Sequence, residues 1–134
     1  MASTFELEIV TPDRKFFEGE VERIVVRTIQ GDVGILKNHM HTVSPLDIGV
    51  IKIKQKGQYR DAACAGGFIQ VKDEKTTIIT DAAEWPEEVD VERAKEAAAR
   101  AEERLKKASA DIDTLRAQTA LKRALNRLRI TRND

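Results

Sequence analysis

The sequence predicts an α+β chain in which an antiparallel β-sandwich or flattened barrel precedes a two-helix antiparallel hairpin. All seven glycines of the 134 residues lie before Trp85-Pro86, together with most of the β-branched residues. After that point Ala, Glu, Lys, Arg and Leu dominate, and no glycine follows. Such a change of composition marks a domain boundary. We therefore expect a β domain at residues 1–85 and a helical domain at residues 86–134.

Short segments in which apolar and polar residues alternate predict the strands of the first half. Phe5, Leu7 and Ile9 show the pattern, with Glu6 and Glu8 between them. Further strands are predicted in the segments 24–28, 51–54, 66–71 and 76–80. Turn-forming residues separate strands at Thr11-Pro12-Asp13, Lys56-Gly57-Gln58 and Asp73-Glu74-Lys75.

Two apolar stripes at helical spacing predict the hairpin of the second half. Asp90 can cap the first helix, and Asp111 or Asp113 the second, with Ser109-Ala110-Asp111 as the break between them. The first stripe consists of Ala94, Ala98, Ala101, Leu105 and Ala108. The facing stripe is predicted to consist of Leu115, Leu121, Ala124, Leu125 and Leu128. Because most of these side chains are single methyl groups, we expect a weak contact that can open and close again.

Charge and composition exclude several classes of function. The 23 basic and 23 acidic residues cancel, which argues against a nucleic-acid binder. Cys64 is the single cysteine, so it predicts a small buried side chain in a reducing interior rather than a disulfide. The sequence contains no run of about 18 apolar residues, so we predict no membrane-spanning helix. The first residues do not have the pattern of a signal peptide.

Motifs of catalysis and of metal binding are absent from the sequence, so we predict neither an enzyme nor a metal site. His39-Met40-His41 supplies only half of a zinc site, and an exposed loop is the better interpretation. The stretch Gly31-Asp32-Val33-Gly34-Ile35-Leu36 lacks the Lys-Ser or Lys-Thr of a phosphate loop. We interpret it as a tight turn or bulge in which glycine supplies a positive φ.

A cluster of basic residues is the strongest feature of the second half. The stretch from Leu115 to Arg132 contains six Lys and Arg residues and no acidic residue. If the helices fold back about Ala110, Arg93 and Arg127 face each other, with Arg100 in reach. Facing guanidinium groups favour an anion such as polyphosphate between them. A solvated basic face that pairs with Glu92, Glu96 or Glu103 explains the same spacing equally well.

Several motifs, taken in order, resemble the epsilon subunits of bacterial F-type ATP synthases. Thr11-Pro12-Asp13 with Phe17-Glu18-Gly19-Glu20-Val21 is similar to the opening motif of that family. The stretch from Gly31 to Leu36, followed by Asn38-His39, resembles its Gly-x-x-Gly-Ile-Leu-x-x-His loop. Gly66-Gly67-Phe68 resembles its Gly-Gly-Phe strand start, and the alanine-rich hairpin completes a resemblance that covers essentially the whole chain.

This resemblance implies a sandwich of about ten strands followed by two helices, in a non-catalytic subunit of the rotor. The subunit would bind the gamma subunit and the c ring at the cytoplasmic face of the bacterial cell membrane, peripherally and without insertion. The c-ring contact would fall on Gly31, Lys37, Asn38, His39 and Met40. The family usually has proline two residues after the loop histidine, where this chain has His41, and that departure leaves the conformation of the loop open.

The resemblance also implies that the hairpin regulates ATP hydrolysis by moving between a folded and an extended position. In the extended state it would meet the alpha and beta subunits, and its contact with beta would use Arg116, Lys122, Arg123, Arg127 and Arg129. Members from bacilli bind ATP as a regulatory ligand in the folded hairpin, through an Ile/Leu-Asp-x-x-Arg-Ala motif. Val89-Asp90-Val91-Glu92-Arg93-Ala94 is similar to that motif.

The positions that match the nucleotide contacts of that subset would form the ATP site. Asp90 and Glu84 would hold the adenine or ribose side, and the arginines would hold the phosphates, with any part of magnesium left open. The full set is Glu84, Val89, Asp90, Arg93, Ala94, Arg100, Arg123, Asn126 and Arg127.

Two alternatives of other classes remain at this stage. One is a free-standing nucleotide sensor or basic interaction module, which would have the same hairpin but no rotor. Co-purification with gamma would distinguish this hypothesis from that of a rotor subunit. A nucleic-acid binder that uses the last basic helix would lose affinity steeply with salt. The absence of aromatic residues interleaved with the basic ones argues against that alternative.

Overall fold

The computed structural model describes residues 3–107 and 111–132, and of residues 111 and 112 only the backbone. The described residues form eight strands followed by a short 3-10 turn and two α-helices. The strands are β1 Phe5–Val10, β2 Lys15–Val21, β3 Arg23–Thr28, β4 Gly31–Ile35, β5 Thr42–Gln55, β6 Gln58–Lys72, β7 Lys75–Ile79 and β8 Ala83–Glu84. The 3-10 turn is Pro86–Glu88, and the helices are α1 Val91–Lys107 and α2 Asp111–Ile130.

The chain divides into two compact units, Met1–Glu84 and Trp85–Asp134. The first contains all of the described strands and the second both helices. This arrangement confirms the predicted fold class of a β-sandwich followed by helices.

The strands of the first unit form one curled sheet in the order β2-β1-β7-β6-β5-β3-β4, and β8 pairs with β6. All pairs are antiparallel except β1 with β7, which run parallel. The edge strand β2 returns toward the end of β5, where Gln55 Nε2 donates a hydrogen bond to Glu20 O at 2.9 Å. Beyond β2, Glu22 N donates to Lys54 O at 2.8 Å. The curl encloses a core between two layers, as a flattened barrel does.

Alternation along the strands decides which residues form this core. Phe5, Leu7 and Ile9 of β1 are buried, as the sequence predicts, and the glutamates between them point away from the core. The same parity buries Ile24, Val26 and Thr28 of β3 and Ile51 and Ile53 of β5. Each aliphatic side chain removed from water stabilises the fold by about 1.5–3 kcal/mol, so these rows hold the unit together.

The strand count is eight in the described residues rather than about ten, because β5 and β6 are long. They pair along nearly their whole length, but the ladder skips Asp47 and Gly66 between Leu46↔Gly67 and Ile48↔Ala65. Gly66 and Gly67 have φ values of 86° and 112°, outside the extended range. Each of these two long strands therefore bends there and can be counted as two shorter strands. This accounts for the difference between eight strands and about ten.

Gly67 shows why glycine is required at this bend. A Cβ atom at that position would collide with the carbonyl oxygen of Ile79 and lie 2.8 Å from the Cα of Thr80. The strand β6 can therefore approach the end of β7 this closely only because residue 67 has no side chain. Gly57 has a φ of 76° in the Lys56-Gly57 hairpin tip, where a Cβ would meet open space.

The interpretation of the stretch from Gly31 to Leu36 as a turn or bulge is wrong for most of its length. Gly31 has a φ of 122° and follows a turn at Ile29 and Gln30, but Gly31–Ile35 is the strand β4 and pairs regularly with β3. Gly34 takes no positive φ, and a Cβ there would lie 3.2 Å from a nitrogen of Arg23. The second glycine thus makes room for a side chain rather than for a turn.

An ion-pair network joins β1 to its two neighbours at Glu8. The Glu8 carboxylate lies 3.0 Å from Lys15 Nζ and 3.7 Å from Lys75 Nζ. The hydrogen bond from Lys15, with the charge of Lys75, lowers the pKa of Glu8 below its ordinary value. The hydrogen bond to Glu8, with a second to Glu18, raises the pKa of Lys15. These groups therefore resist neutralisation while the strands remain paired.

Cys64 of β6 is buried, as predicted, and behaves as a small core residue. Its Sγ lies 3.3 Å from Thr80 Oγ1 and 3.4 Å from the carbonyl oxygen of Gly66. Burial raises the pKa of this thiol, although the hydrogen bond with Thr80 opposes the shift. The thiolate form that reacts with modifying reagents is therefore suppressed.

The two helices of the second unit pack against each other. Lys107 at the end of α1 and Asp113 near the start of α2 line the same groove as Arg100 and Ala117, which are farther from the connection. The helices therefore run antiparallel. Ala94, Ala98 and Ala101 of the predicted first stripe are buried and Leu105 is half-buried. Ala108 and the predicted pivot Ala110 lie outside the described residues.

The second predicted stripe is wrong at two of its five positions. Leu115 is 64% exposed and Leu125 is 46% exposed. The buried face of α2 instead contains Ala117, which the sequence reading missed, and Ala124, with Leu121 and Leu128 half-buried beside them. The spacing of 117, 121, 124 and 128 follows one helix face, whereas Leu115 lies about 160° away from Ala117 around the axis.

Candidate functional sites

The start of α1 is fixed by Asp90, which lies at the N-cap position. Its Oδ1 accepts a hydrogen bond from Arg93 N at 3.1 Å, and its carbonyl oxygen accepts one from Ala94 N at 3.0 Å. The preceding turn is closed by Trp85 N, which donates to Glu88 Oε1 at 2.9 Å. The predicted cap at Asp90 is thus confirmed. One carboxylate oxygen of this proposed nucleotide contact is engaged by the backbone of α1.

The residues of the predicted ATP site differ in their exposure. Glu84 belongs to the first unit and the other eight to the second. Val89, Ala94 and Asn126 are buried, and Glu84 and Arg127 are half-buried. The exposed members are Asp90, Arg93, Arg100 and Arg123.

The described contacts bring only some of the predicted residues together. The cap joins Asp90 to the backbone of Arg93. Arg100 and Arg116, assigned from the sequence to different roles, line one groove of about 850 Å³ between α1 and α2. Arg93 and Arg123 lie outside the described lining of that groove. The sequence reading missed the groove, because its position depends on which faces of the helices meet.

The predicted c-ring loop connects β4 to β5 and is largely exposed, and Met40 is 74% exposed. Asn38 has a φ of 66°, a conformation that asparagine adopts more readily than most residues. His39 N donates to Leu36 O at 3.2 Å, which closes the turn. Thr42 Oγ1 donates to Met40 O at 2.9 Å. Gly31 lies at the start of β4, at the other end of that strand from the loop.

His41, at the position where the resembling family usually has proline, fastens this loop to the turn between β6 and β7. Its Nε2 accepts a hydrogen bond from Asp73 N at 3.0 Å, and Lys37 Nζ lies 3.9 Å from a carboxylate oxygen of Glu74. His39 and His41 are both engaged with backbone groups. Within the described ranges, no group of three or more His, Cys, Asp or Glu side chains could hold a metal ion.

A row of outward-facing apolar residues crosses four neighbouring strands of the sheet. Pro45 of β5, Phe68 of β6, Ile79 of β7 and Val10 of β1 are successive cross-strand partners. Phe68 and Ile79 are each 57% exposed, and Val43, two residues before Pro45, is also exposed. We call these five residues the apolar row. Large exposed apolar patches on soluble domains mark sites of interaction.

The sequence reading missed the apolar row, although a signal was present. Phe68-Ile69 and Ile78-Ile79 are adjacent apolar pairs within strands. Because neighbouring strand residues point to opposite faces, one member of each pair must face away from the core. Ile69 and Ile78 are buried, so Phe68 and Ile79 are the outward members.

Two family models match the chain over nearly its whole length. Residues 4–86 match the beta-sandwich domain of the ATP synthase Delta/Epsilon chain, and residues 87–132 match its long alpha-helix domain. The chain therefore belongs to the delta/epsilon family of ATP synthase chains, and the membership predicted from its motifs is confirmed.

Several relatives are named ATP synthase epsilon chain. That of Alkaliphilus metalliredigens is 60% identical over 133 residues and covers 99% of both chains. That of Caldanaerobacter subterraneus is 47% identical, over 97% of this chain and 95% of the relative. That of Bacillus velezensis is 46% identical, over 97% of this chain and 98% of the relative.

Solved structures of ATP synthases contain the same fold. A chain from the Euglena gracilis mitochondrial ATP synthase, in an assembly of OSCP, F1 and c-ring, matches with a TM-score of 0.79 and 25% identity, over 90% of this chain and 76% of that one. A chain from the central stalk and c-ring of Tetrahymena thermophila mitochondrial ATP synthase matches with a TM-score of 0.71 and 18% identity, over 95% and 96% of the two chains. The second match shows the fold alone.

Proposed function

We propose that this chain is a non-catalytic subunit of the central stalk of a bacterial F-type ATP synthase. Its sandwich would dock on the gamma subunit and the c ring, and its hairpin would regulate ATP hydrolysis. The observation that carries the docking is the apolar row, on the background of the family membership. None of the described helices is long and apolar enough to cross a bilayer. We propose a peripheral place at the cytoplasmic face, held by these protein contacts.

The apolar row is the surface that we assign to gamma. Pro45, Phe68, Ile79 and Val10 are in register across β5, β6, β7 and β1, beside the bend at Gly66 and Gly67, so the row forms a nearly continuous surface. Phe68 and Ile79 are direct cross-strand partners at its centre. Aromatic side chains at the centre of an interface commonly contribute most of the binding energy.

Replacement of Phe68 by Ser tests the gamma contact. Loss of the ring surface that gamma would cover should cost roughly 2 kcal/mol, so the affinity for gamma should fall by roughly thirtyfold. Tyr59→Ser is the matched control, because Tyr59 is an exposed aromatic residue of the same strand that lies outside the apolar row. Pull-down titrations with purified gamma measure both. Equal loss in the two variants would refute the assignment of the row to gamma.

The loop after β4 is the surface that we assign to the c ring. Its polar tip, with Lys37, Asn38 and His39, suits the polar loops of a membrane-embedded ring, and Met40 adds an apolar contact. An Asn38→Cys variant tests this, because Cys64 is buried and the raised pKa of its thiol suppresses its reactivity. In the assembled enzyme, a short cross-linker should join position 38 to subunit c. Cross-links to gamma or beta alone would contradict the assignment.

We further propose that the hairpin senses ATP. Most of the buried side chains along the described helix seam are the methyl groups of alanines, and α2 adds Asn126 and Ile130 near its C-terminal end. The paired state is therefore weakly stabilised. Arg93, Arg123 and Arg127 would hold the phosphates and Asp90 the nucleoside. ATP bound to the paired hairpin alone would stabilise it by RT ln(1 + [L]/Kd), about 2.7 kcal/mol at a hundredfold excess over Kd. Scarcity of ATP would free the helices to extend toward alpha and beta and to inhibit hydrolysis.

The double variant Arg93→Gln with Arg127→Gln tests the sensor without touching the cap at Asp90. Calorimetry with ATP should show binding to the parent and at least about tenfold weaker binding to the variant. Lys95→Gln is the control, since Lys95 is exposed on α1 and pairs only with Glu92, at 4.0 Å, in the ion pairs described. If the double variant binds ATP as tightly as the parent, the phosphate assignment is wrong.

A further inference from the structure

Three polar side chains form a row across the outward face of β3, β5 and β6. Arg23 of β3 is the cross-strand partner of Lys54 of β5, and Lys54 is the partner of Tyr59 of β6. The neighbouring residues Ile24 and Ile53 are buried, so the row faces away from the core. Arg23 and Tyr59 are exposed and Lys54 is half-buried. We call Arg23, Lys54 and Tyr59 the basic row.

The two positive charges of the basic row repel each other. Arg23 and Lys54 are directly opposite in the ladder, where the Cβ atoms of partners are roughly 4.5–5.5 Å apart, and like charges at this spacing destabilise a sheet. Among the residues that the structure describes, neither of them has a carboxylate within ion-pair distance. The adjacent pair, Lys52 with Asp61, forms an ion pair at 3.4 Å. The basic row thus keeps an excess of positive charge beside a pair whose charges cancel.

Tyr59 and Gly34 hold the cations of the basic row in place. Arg23 Nη1 donates a hydrogen bond to Tyr59 Oη at 3.4 Å, and Lys54 Nζ lies 5.9 Å from the centre of the Tyr59 ring. A Cβ atom at Gly34 would lie 3.2 Å from Arg23 Nη2, so the guanidinium group lies against the bare backbone of β4. Because the phenol oxygen is the acceptor toward Arg23, its own hydrogen is available to a ligand. The basic row therefore presents a guanidinium, an ammonium and a hydroxyl donor side by side.

This set of donors suits a carboxylate that is carried by a polypeptide. Guanidinium and ammonium groups form their strongest hydrogen bonds with anionic oxygens. The basic row lies on an open strand face, where salt and water would screen its attraction for a small free anion. A larger partner covers the row as it delivers the carboxylate, and the charge interaction strengthens as water is excluded. Arginine and tyrosine are also enriched where proteins meet.

The loop assigned to the c ring begins beside the basic row. Ile24, next to Arg23, pairs with Ile35, and the chain continues through Leu36, which is 58% exposed, into that loop. The apolar row assigned to gamma lies on the other segments of β5 and β6, beyond the bend in those strands. We propose that the basic row binds a carboxylate in the exposed loops of the c ring, an inference that rests on the place on the rotor proposed above.

The complex of this chain with gamma, titrated with purified c rings in nanodiscs of zwitterionic lipid, tests the inference. The double variant Arg23→Gln with Lys54→Gln should bind c rings at least about tenfold more weakly, and its affinity should depend less on salt. Lys52→Gln with Asp61→Asn is the matched control, because it removes the adjacent ion pair without a change of net charge. The control should keep the affinity of the parent, and both variants should still bind gamma. Equal loss in the two variants would overturn the inference.

A reversal of charge separates binding from stability. Lys54→Glu places opposite charges at the pair with Arg23, so the urea midpoint of the sandwich should rise while the affinity for c rings falls. A lysine retained only for the fold would behave in the opposite way. A midpoint at or below that of the parent would contradict the repulsion within the basic row. Binding of c rings as tight as that of the parent would contradict the carboxylate contact.

Two further arms identify the occupant. Conversion of the Asp and Glu residues in the exposed loops of subunit c to their amides should weaken binding of the parent and should have little further effect on the double variant. Unchanged binding of the parent to that ring would exclude a ring carboxylate and overturn the inference. Nanodiscs of anionic lipid without c rings should bind the parent and the double variant equally. A clear preference for the parent there would make the basic row a lipid contact instead.

The Asn38→Cys cross-link keeps failure of this inference distinct from failure of the proposed function. If position 38 reaches subunit c and the double variant still binds c rings as tightly as the parent, the loop contact stands and the basic row has no part in it. If position 38 does not reach subunit c, the proposed place on the ring fails, and the inference fails with it.

Discussion

Asp90 has two roles that a single substitution can separate, its cap of α1 and its proposed contact with the nucleoside. Asp90→Ala removes both, whereas Asp90→Asn retains the cap, because Asn and Asp are about equally good at the N-cap position. The cap is visible as the hydrogen bond from Arg93 N to Asp90 Oδ1. In the proposed site, the second carboxylate oxygen is an acceptor, and Asn would present an amide donor there instead.

The seam of the hairpin sets the scale of the effect. Among the described residues, five alanines are buried along it, namely Ala94, Ala98, Ala101, Ala117 and Ala124. At about 0.8 kcal/mol for each methyl group, they contribute roughly 4 kcal/mol as an upper bound. Loss of the cap costs about 1 kcal/mol, so Asp90→Ala removes about a quarter of that amount. The population of the open hairpin should then rise about fivefold in the absence of ligand.

Hydrogen exchange of the α1 amides without ATP, followed by calorimetry with ATP, measures the two roles separately. Asp90→Ala should speed the exchange about fivefold, and Asp90→Asn should leave it nearly unchanged. Both variants should bind ATP more weakly than the parent. If Asp90→Asn binds ATP as tightly as the parent, Asp90 acts only as a cap. If Asp90→Ala exchanges no faster than Asp90→Asn, the reasoning about the cap is wrong.

Three further predictions concern the separate units. Gly67→Ala should destabilise the sandwich by roughly 2–5 kcal/mol, from backbone strain and overlap, whereas Gly57→Ala, which is strained but unobstructed, should cost only about 1 kcal/mol; equal midpoints in urea would refute this. Because the pKa of Glu8 is lowered in the folded state, its contribution to stability is present above pH of about 4.5 and is lost as pH falls through the folded pKa. Glu8→Gln should therefore flatten acid unfolding below that pH, and an unchanged profile would contradict the network. Leu115→Gln should leave the thermal stability of the hairpin within about 0.5 kcal/mol of the parent, whereas Leu121→Gln should lower it by at least about 1 kcal/mol; the reverse order would refute the assigned face.

The sequence could predict the strands of the sandwich because alternation and burial are local properties. Phe5, Leu7 and Ile9 reveal which face of β1 is buried without knowledge of any partner strand. The number of strands is not local in this sense. The bend at Gly66 and Gly67 divides one continuous strand into two segments. The geometry of this bend depends on how closely β7 approaches Gly67. Two adjacent glycines in the sequence indicate an unusual backbone conformation, but they do not indicate whether a strand ends there.

The candidate sites were predictable to the extent that they depend on one segment. The cap at Asp90 and the exposed loop at His39 follow from short motifs, and the structure contains both. The groove and the apolar row require partners far apart in the chain, such as Arg104 with Arg116 and Phe68 with Ile79. A sequence shows that such residues are basic or apolar, but the register of the helices and strands decides which of them become neighbours.

The choice of residues along α2 bears on the proposed regulation. The helix buries Ala117 and Ala124 and leaves Leu115 and Leu125 exposed, although a leucine buried in the seam would contribute more than an alanine. Pairing within the hairpin is therefore weaker than the composition of α2 would allow. Apolar side chains held outward on a helix with a basic surface are suited to a second surface with apolar and acidic groups. In the regulation proposed above, such a helix would exchange its own partner for another protein at modest cost.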